Sequence, residues 1–133
     1  MRKFTDFIIW NHVFFIMEVV YALYICEYIL AFLGTLTTYF SIERHRFMYV
    51  KYNNIEPIVA KSTLLYVTVM GLYYLSMQQK ILLLLSEMLT GFVYYIQRYD
   101  YETIHPWLHI TVATNIYIYI YYVDYIYYVD YVD

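Results

Sequence analysis

Long apolar runs joined by short polar connections dominate the chain. Four runs carry at most two charged residues each, and they cover residues 7–40, 58–77, 81–96 and 104–122. A membrane span takes about 20 consecutive apolar residues, because the hydrocarbon core is about 30 Å thick. The pattern therefore predicts an all-α fold, a multi-pass transmembrane helix bundle. A soluble bundle with an apolar core is disfavoured, since runs of this length leave no polar face for water.

The first run is too long for a single upright helix. Its 34 residues would form a helix of about 51 Å. We expect two spans instead, near residues 5–24 and 26–45, joined at Cys26 and Glu27, which makes about five spans in all. No Gly, Pro or Asn marks this turn. One long tilted helix, and hence four spans, is therefore the alternative.

Proline marks the start of two later spans, because it is tolerated in the first turn of a helix. Glu56-Pro57 is predicted to open a span that ends near Ser76, and His105-Pro106 is predicted to open the last span. Between them we predict a tight turn at residues 77–80, a span at 81–96 and a polar connection at 97–103.

Basic residues lie mostly on one predicted side of the membrane. With five spans, six Lys or Arg residues face that side, Lys61 lies near it, and Lys80 alone faces the other side. The positive-inside rule predicts that the crowded side, which also carries the motifs described below, is cytoplasmic. The six residues are Arg2, Lys3, Arg44, Arg46, Lys51 and Arg98.

The last 18 residues differ from the rest in composition. YIYYVD occupies residues 119–124 and is repeated at 125–130, and a further YVD ends the chain. We divide the chain into a transmembrane helical domain at 1–115 and a low-complexity tail at 116–133. The last helix is expected to continue to about Tyr122, followed by interfacial disorder. No chemistry is assigned to the tail.

Composition limits the possible functions. Hydrophobic residues make up 63% of the chain, against roughly 45–50% in soluble domains. The single cysteine, Cys26, excludes an internal disulfide. The chain has no basic nucleic-acid patch, Gly-rich phosphate loop or nucleophile elbow. Membrane lipids are therefore the expected partners, and nucleic acids are not.

Two short motifs carry the candidate chemistry. Ser41 and His45 form S-x-x-x-H at the end of the second predicted span, and His105 and His109 form H-x-x-x-H at the start of the last. Residues four apart lie on one face of a helix. Because two spans cross and return between the motifs, we expect both motifs at one level of the membrane. Three imidazoles with an open fourth position are typical of catalytic zinc.

The remaining requirements of a zinc hydrolase are a carboxylate that orients or deprotonates a water and a donor for the developing oxyanion. Glu56 would supply the carboxylate, and Ser41 would supply a hydroxyl as the donor. The competing interpretation is that the motifs arise by chance and that histidines near span ends bond the backbone or lipid headgroups. His12 lies outside the motifs and is interpreted as interfacial. The predicted metal ligands are His45, His105 and His109, and the predicted catalytic residues are Ser41 and Glu56.

These residues resemble the marks of a known family. The chain is similar to the superfamily of alkaline ceramidases, progestin and adiponectin receptors and haemolysin III-like proteins. That superfamily has seven spans, with S-x-x-x-H ending the second, an Asp opening the third and H-x-x-x-H in the seventh. The matching segments here are SIERH at 41–45, Glu56 and HPWLH at 105–109, and the resemblance covers roughly residues 6–115. It implies that the three histidines bind zinc and that Ser41 and Glu56 hold the water at the metal.

The chain departs from that family in two respects. Glu56 stands where the family has Asp, which is one methylene shorter, and only about five spans are present instead of seven. The resemblance implies a membrane-embedded, zinc-dependent amidase that cleaves a lipid amide such as ceramide into a fatty acid and an amine. The alternative is a non-catalytic or degenerate membrane protein that retains part of the fold. Metal content separates the two classes.

Overall fold

The computed structural model describes residues 10–47 and 54–132. These residues form five α-helices and no strand, which confirms the all-helical prediction. The start of the first predicted span lies outside the described residues, as do three charges used for the predicted orientation, Arg2, Lys3 and Lys51. The helices are α1 (His12–Tyr24), α2 (Tyr28–Phe47), α3 (Ile55–Tyr74), α4 (Met77–Ile96) and α5 (Tyr101–Val132).

A left-handed turn at Cys26 divides the first apolar run into α1 and α2. Cys26 has a φ of 62°. Its N–H donates to the carbonyl of Leu23 at 3.2 Å, and the N–H of Glu27 donates to the carbonyl of Ala22 at 2.8 Å. This pair of bonds is a Schellman motif, in which the left-handed position usually holds glycine. The prediction of two helices is confirmed, and the turn was unmarked because cysteine occupies the position of the glycine.

The connection between α3 and α4 is shorter than predicted. The prediction of a turn at residues 77–80 is wrong, because α4 already begins at Met77. Leu75 is extended, and the backbone N–H of Ser76 donates to the side chain of Gln79 at 2.9 Å. Polar side chains at this position satisfy amides that the first turn of a helix leaves unpaired. The polar segment therefore belongs to the helix rather than to a loop.

The start of α5 also differs from the prediction. His105-Pro106 does not open this helix, because α5 begins at Tyr101 and Pro106 lies inside it. Asp100 explains the earlier start, since its side-chain oxygen accepts the N–H of Thr103 at 3.3 Å. Such a carboxylate satisfies an unpaired amide and favours helix initiation. Proline then removes one backbone hydrogen bond close to the first turn, and the helix continues past it.

The low-complexity tail continues α5. The prediction that the helix gives way to disorder near Tyr122 is wrong, because α5 runs to Val132. Ile120 is completely buried, and Asp124 accepts a hydrogen bond from the hydroxyl of Tyr21 at 2.7 Å. Packing one face of this segment against α1 stabilises a helix, although the alternation of Ile and Tyr in the sequence resembles a strand.

Helix α5 is central in the bundle. It packs against α1, α3 and α4, while α2 packs against both α1 and α3. The starts of α1, α3 and α5 lie at the same end of the bundle as the ends of α2 and α4. Four hydrogen bonds join these termini: Asn11 to Pro106, His12 to Ser41, Arg44 to Glu56, and Gln97 to His105.

Polar side chains are as common as apolar ones in the interior. Among the described residues, 13 polar or charged and 13 apolar residues are buried. Large apolar side chains point outward at the same time, including Leu85, Met88 and Phe92 on α4. Within the described part of the chain, α3 is the one helix that is long and apolar enough to cross a membrane, and α1 is apolar but only 13 residues long.

Cys26 allows a test of the turn between α1 and α2. A side chain in the left-handed region costs roughly 1–2 kcal/mol, and Cys26 is exposed, so it contributes little packing. We expect Cys26→Gly to raise the free energy of unfolding by about 0.5–1 kcal/mol, because the greater freedom of glycine in the unfolded chain offsets part of the gain. Thermal unfolding in detergent measures this. Cys26→Ala, which removes the thiol and keeps the strain, is the control, and equal stability of the two variants would contradict the prediction.

Candidate metal centre

Three histidines and a glutamate converge where α2 ends and α3 and α5 begin. The potential ligand atoms of His45, Glu56, His105 and His109 all lie within 4.8 Å of one another, and the four residues are buried. The Nε2 atom of His105 is 3.0 Å from Nε2 of His45 and 3.2 Å from Nε2 of His109. Tetrahedral zinc with Zn–N bonds of about 2.0–2.1 Å would separate its nitrogen ligands by about 3.3–3.4 Å. The imidazoles are therefore spaced almost as metal ligands are, and the group can hold a metal ion.

The motif spacings and the order of the helices explain this convergence. The rings of His105 and His109, one turn apart on α5, have centroids 4.7 Å apart. His45 lies near the end of α2, and Glu56 lies in the first turn of α3. His45 and His105 are 60 residues apart in sequence, and they meet because α3 and α4 cross the bundle and return. The structure thus brings His45, Glu56, His105 and His109 together, while the roles of these residues and of Ser41 stay predictions.

Gln97 controls which nitrogen of His105 carries the proton. Its side-chain Oε1 lies 2.7 Å from Nδ1 of His105. An amide oxygen only accepts hydrogen bonds, so Nδ1 is protonated and Nε2 directs its lone pair to the cluster. Tyr101 stacks on the same ring at 4.3 Å. Metal-binding histidines usually have such an acceptor on the second nitrogen. Gln97 was not among the predicted site residues, and its signal in the sequence was its position as the first polar residue after the run at 81–96.

Arg44 holds the carboxylate of Glu56 in an ion pair. The guanidinium Nη1 donates to Oε2 of Glu56, whose side chain is 7% exposed. A buried carboxylate without a partner is unfavourable, so the pair both stabilises Glu56 and directs it beside the imidazoles. From the sequence, Arg44 was predicted only to be one of the basic residues that orient the chain in the membrane. Its position next to His45 was the signal that could have identified it.

His12 and Ser41 form a hydrogen-bonded pair next to the cluster. Nε2 of His12 lies 2.8 Å from Oγ of Ser41, and the two residues are 2% and 1% exposed. The ring of His12 also meets that of His109 edge to face, with centroids 5.2 Å apart. The interpretation of His12 as an interfacial residue is therefore wrong. Asn11 explains the burial, because its amide donates to the carbonyl of Pro106 at 2.8 Å and ties the start of α1 to α5.

A cavity of about 370 Å³ extends from the cluster between α3, α4 and α5. Glu56 and His105 line it at the cluster, and Glu87 and Thr90 line it farther along α4. The cavity thus joins potential metal ligands to a largely apolar space. Most of the remaining wall carries no charge: Pro57, Ala60, Leu64, Gly91, Leu108 and Val112.

Two glycines show that the gap between α3 and α4 widens toward the cluster. Near the turn between these helices, a Cβ atom on Gly71 would clash with the side chain of Leu83. Nearer the cluster, a Cβ atom on Gly91 would have no atom within 4 Å. Lys61 and Tyr94 also line the cavity and are exposed. These two side chains also meet across the helices, with Nζ of Lys61 5.4 Å from the centroid of the Tyr94 ring, so the cavity is partly open along the edge formed by α3 and α4.

Two glutamates of the first apolar run lie outside the cluster. Glu27 accepts hydrogen bonds from the hydroxyls of Tyr66 at 3.0 Å and Tyr119 at 3.4 Å, so it links the α1–α2 turn to α3 and α5. Glu18 is 2% exposed, and neither of its carboxylate oxygens has a hydrogen-bond partner among the described residues. The sequence did not indicate a partner for either residue.

No protein-family model matches this chain, and no curated protein or solved structure matches it. The resemblance to the ceramidase and receptor superfamily therefore stays a hypothesis that rests on five motif positions. The distances given above for those positions come from the structure of this protein and not from a relative.

Gln97 allows a test of metal binding that leaves the ligands intact. We expect Gln97→Leu to weaken metal affinity about 10–100-fold, the usual cost of removing such a partner. Metal content of the purified protein and competition with a chelator measure the affinity. Gln97→Glu is the control, because a carboxylate oxygen still accepts the proton of Nδ1. Equal affinity in the Leu variant and the unmodified protein would show that Nε2 of His105 does not bind the metal.

Proposed function

We propose that this protein is a multi-pass membrane hydrolase that uses zinc to cleave a lipid amide, of the alkaline ceramidase-like type. The observation that carries the proposal is the buried cluster of His45, His105 and His109 with Glu56 beside it. The cluster lies at one end of a largely apolar cavity. A metal site joined to such a cavity suits an apolar substrate with one reactive polar bond.

The distribution of side chains supports the membrane location. Leu85, Met88 and Phe92 on α4 are 57%, 71% and 59% exposed, while histidines and threonines are buried. In lipid, apolar side chains face outward at no cost, and polar groups must be paired inside. Of the five helices, α3 has the length and composition best suited to a span. We propose that the cluster faces the cytoplasm, because the basic residues are concentrated at that end of the predicted topology.

The ligand set suits zinc better than Mg²⁺, Ca²⁺ or Cu(I). Three imidazole nitrogens with a nearby carboxylate are typical of catalytic zinc sites. Mg²⁺ and Ca²⁺ prefer sites made of oxygen ligands, whereas only Glu56 supplies oxygen to this cluster. Cu(I) prefers thiolates or thioethers, and this cluster contains neither. When bound, zinc would polarise the substrate carbonyl and lower the pKa of a water to about 7.

The residues of the chain itself would perform the proton transfers. Glu56, oriented by Arg44, accepts the proton of the attacking water and passes it to the amide nitrogen as the carbon–nitrogen bond breaks. Ser41 donates a hydrogen bond to the oxygen on which negative charge develops. Gln97 keeps Nδ1 of His105 protonated, so that this imidazole remains a ligand through Nε2. The products are a fatty acid and an amine.

The opening between α3 and α4 bears on both function classes. The superfamily that the chain resembles has two more spans, and their loss between the third and last would leave such an opening. A lipid could enter through it from the bilayer, but the site would also exclude water poorly, which weakens catalysis. The opening is therefore the specific observation that favours the second candidate, a non-catalytic membrane protein that retains part of the fold.

A turnover assay distinguishes the two candidates. The purified protein, reconstituted in vesicles with zinc, is incubated with labelled ceramides and other lipid amides, with and without a chelator. We expect cleavage that the chelator abolishes and added zinc restores. Glu56→Gln should lower kcat by about 10²–10⁴-fold while metal stays bound, because the proton acceptor is lost. Glu102→Gln, at an exposed glutamate of α5, is the matched control. Absent or chelator-insensitive turnover across the panel would leave the non-catalytic candidate.

Gly91 tests whether the cavity holds the lipid chain. Gly91 lines the cavity, and a Cβ atom added there meets no atom within 4 Å, so we expect the ring of Gly91→Phe to occupy part of the site of the alkyl chain. We expect the rate for long-chain amides to fall about tenfold or more relative to short-chain amides, with metal content unchanged. Leu89→Phe, at an exposed position of α4, controls for added bulk. An unchanged ratio of the two rates would place the substrate chain elsewhere.

A further inference from the structure

A fourth histidine, His12, borders the candidate metal centre without belonging to its ligand group. It lies in the first turn of α1 and is 2% exposed. Its Nε2 lies 2.8 Å from Oγ of Ser41. Among the described residues, the group of mutually close ligand atoms takes its histidines from α2 and α5 and does not include His12. One polar edge of this buried ring is therefore directed at a serine.

Threonine hydroxyls of helix α2 donate hydrogen bonds to the backbone of their own helix. The hydroxyls of Thr35 and Thr38 donate to the carbonyl four residues earlier, at 2.7 and 2.8 Å. This is the usual bond of a serine or threonine inside a helix. For Ser41 the corresponding acceptor would be the carbonyl of Thr37. Thr37 itself keeps this backbone bond while it also contacts a threonine of α3, whereas the contact of the Ser41 hydroxyl is with His12 on α1.

The ring of His12 is confined by other aromatic rings. Its centroid lies 5.2 Å from that of His109, 6.1 Å from that of His45 and 6.3 Å from that of Phe15. A ring packed on several sides has little freedom to rotate. The oxygen of Ser41 is therefore held by a ring that itself packs on two of the predicted metal ligands.

We propose that His12 is a positioning residue that holds the Ser41 hydroxyl toward the metal centre, where it can donate to the carbonyl oxygen of a bound amide. The inference rests on the proposed function, which assigns that hydrogen bond to Ser41. His12 acts through Ser41 and takes no part in the chemical step itself. This role requires the tautomer in which Nε2 of His12 carries the proton and donates it to Oγ of Ser41, because the single proton of the hydroxyl must remain available for the substrate.

His12→Phe removes the contact and keeps an aromatic ring. The freed hydroxyl can then return to the carbonyl of Thr37. We expect kcat to fall about 100-fold, as for the loss of an oxyanion donor, with KM and metal content unchanged. His12→Gln should recover most of the rate, because its amide nitrogen reaches the position of Nε2. His12→Asn, one methylene shorter, should behave like the Phe variant and replaces it if that variant does not fold, as judged by circular dichroism.

The double variant with Ser41→Ala tests whether His12 acts through Ser41. If it does, His12→Phe causes no further loss of kcat in a protein that already lacks the hydroxyl. A loss that multiplies with that of Ser41→Ala would show an independent role and overturn the proposal. Loss of the metal from His12→Phe would also overturn it, because His12 would then be a ligand.

Cobalt(II) in place of zinc gives a measurement that does not depend on turnover. Its visible absorption responds to the geometry and hydrogen bonding around its ligands. We expect Ser41→Ala and His12→Phe to cause the same spectral change, the double variant to add nothing, and His12→Gln to resemble the unmodified protein. Absent lipid turnover with these spectra would reject the proposed function alone. A changed spectrum in Ser41→Ala beside an unchanged one in His12→Phe would overturn the role of His12.

Discussion

The contact between the imidazoles of His45 and His105, with Nε2 atoms 3.0 Å apart, is the interaction on which the arrangement of the helices depends. It joins the end of α2 to the start of α5 across 60 residues of chain. Polar side chains in an apolar interior are unfavourable unless they are paired. The helices therefore meet in an order that places most buried polar groups of this end beside another, and Nδ1 of His109 is the exception among the described residues.

The same requirement accounts for the residues around the cluster. Arg44 pairs with Glu56, Gln97 with His105, and His12 with Ser41, so four helices and the residue that follows α4 each contribute a side chain to this end of the bundle. These partners also decide the chemistry. A glutamine oxygen on Nδ1 leaves Nε2 free of its proton, and an arginine beside the carboxylate directs it toward the imidazoles. The hydrogen-bond partners that allow these polar groups to be buried are thus also the groups that orient the candidate ligands.

Away from the cluster the bundle is less complete. The α3–α4 pair is tight at Gly71 and open at Gly91, which leaves an apolar cavity exposed along one edge. Glu18 is buried with neither carboxylate oxygen paired among the described residues. A cavity and an unpaired carboxyl both reduce stability. The polar end of the bundle is therefore more fully satisfied than its middle, and this agrees with a fold organised around its site.

Errors in the predicted boundaries share a physical origin. Proline was expected to open the last helix, but Asp100 caps an earlier start and Pro106 is tolerated inside. The YIYYVD tail was expected to leave the helix near Tyr122, but packing of Ile120 against the core extends it. Local residue preferences are weak, on the order of 1 kcal/mol or less for most residues. A single cap or a buried face is sufficient to override them.

By itself, the sequence determined the helical class, the shared face within each motif and the common level of the two motifs. These properties follow from the helical period and from the number of crossings, which are local and topological. Only the tertiary structure decided that His12 is buried beside Ser41, that Arg44 pairs with Glu56 and that Gln97 bonds His105. The physical reason is that a partner across helices depends on which faces pack together and how far two helices diverge. The spacing of residues along the sequence does not determine how each helix is rotated about its axis or how far apart two helices lie.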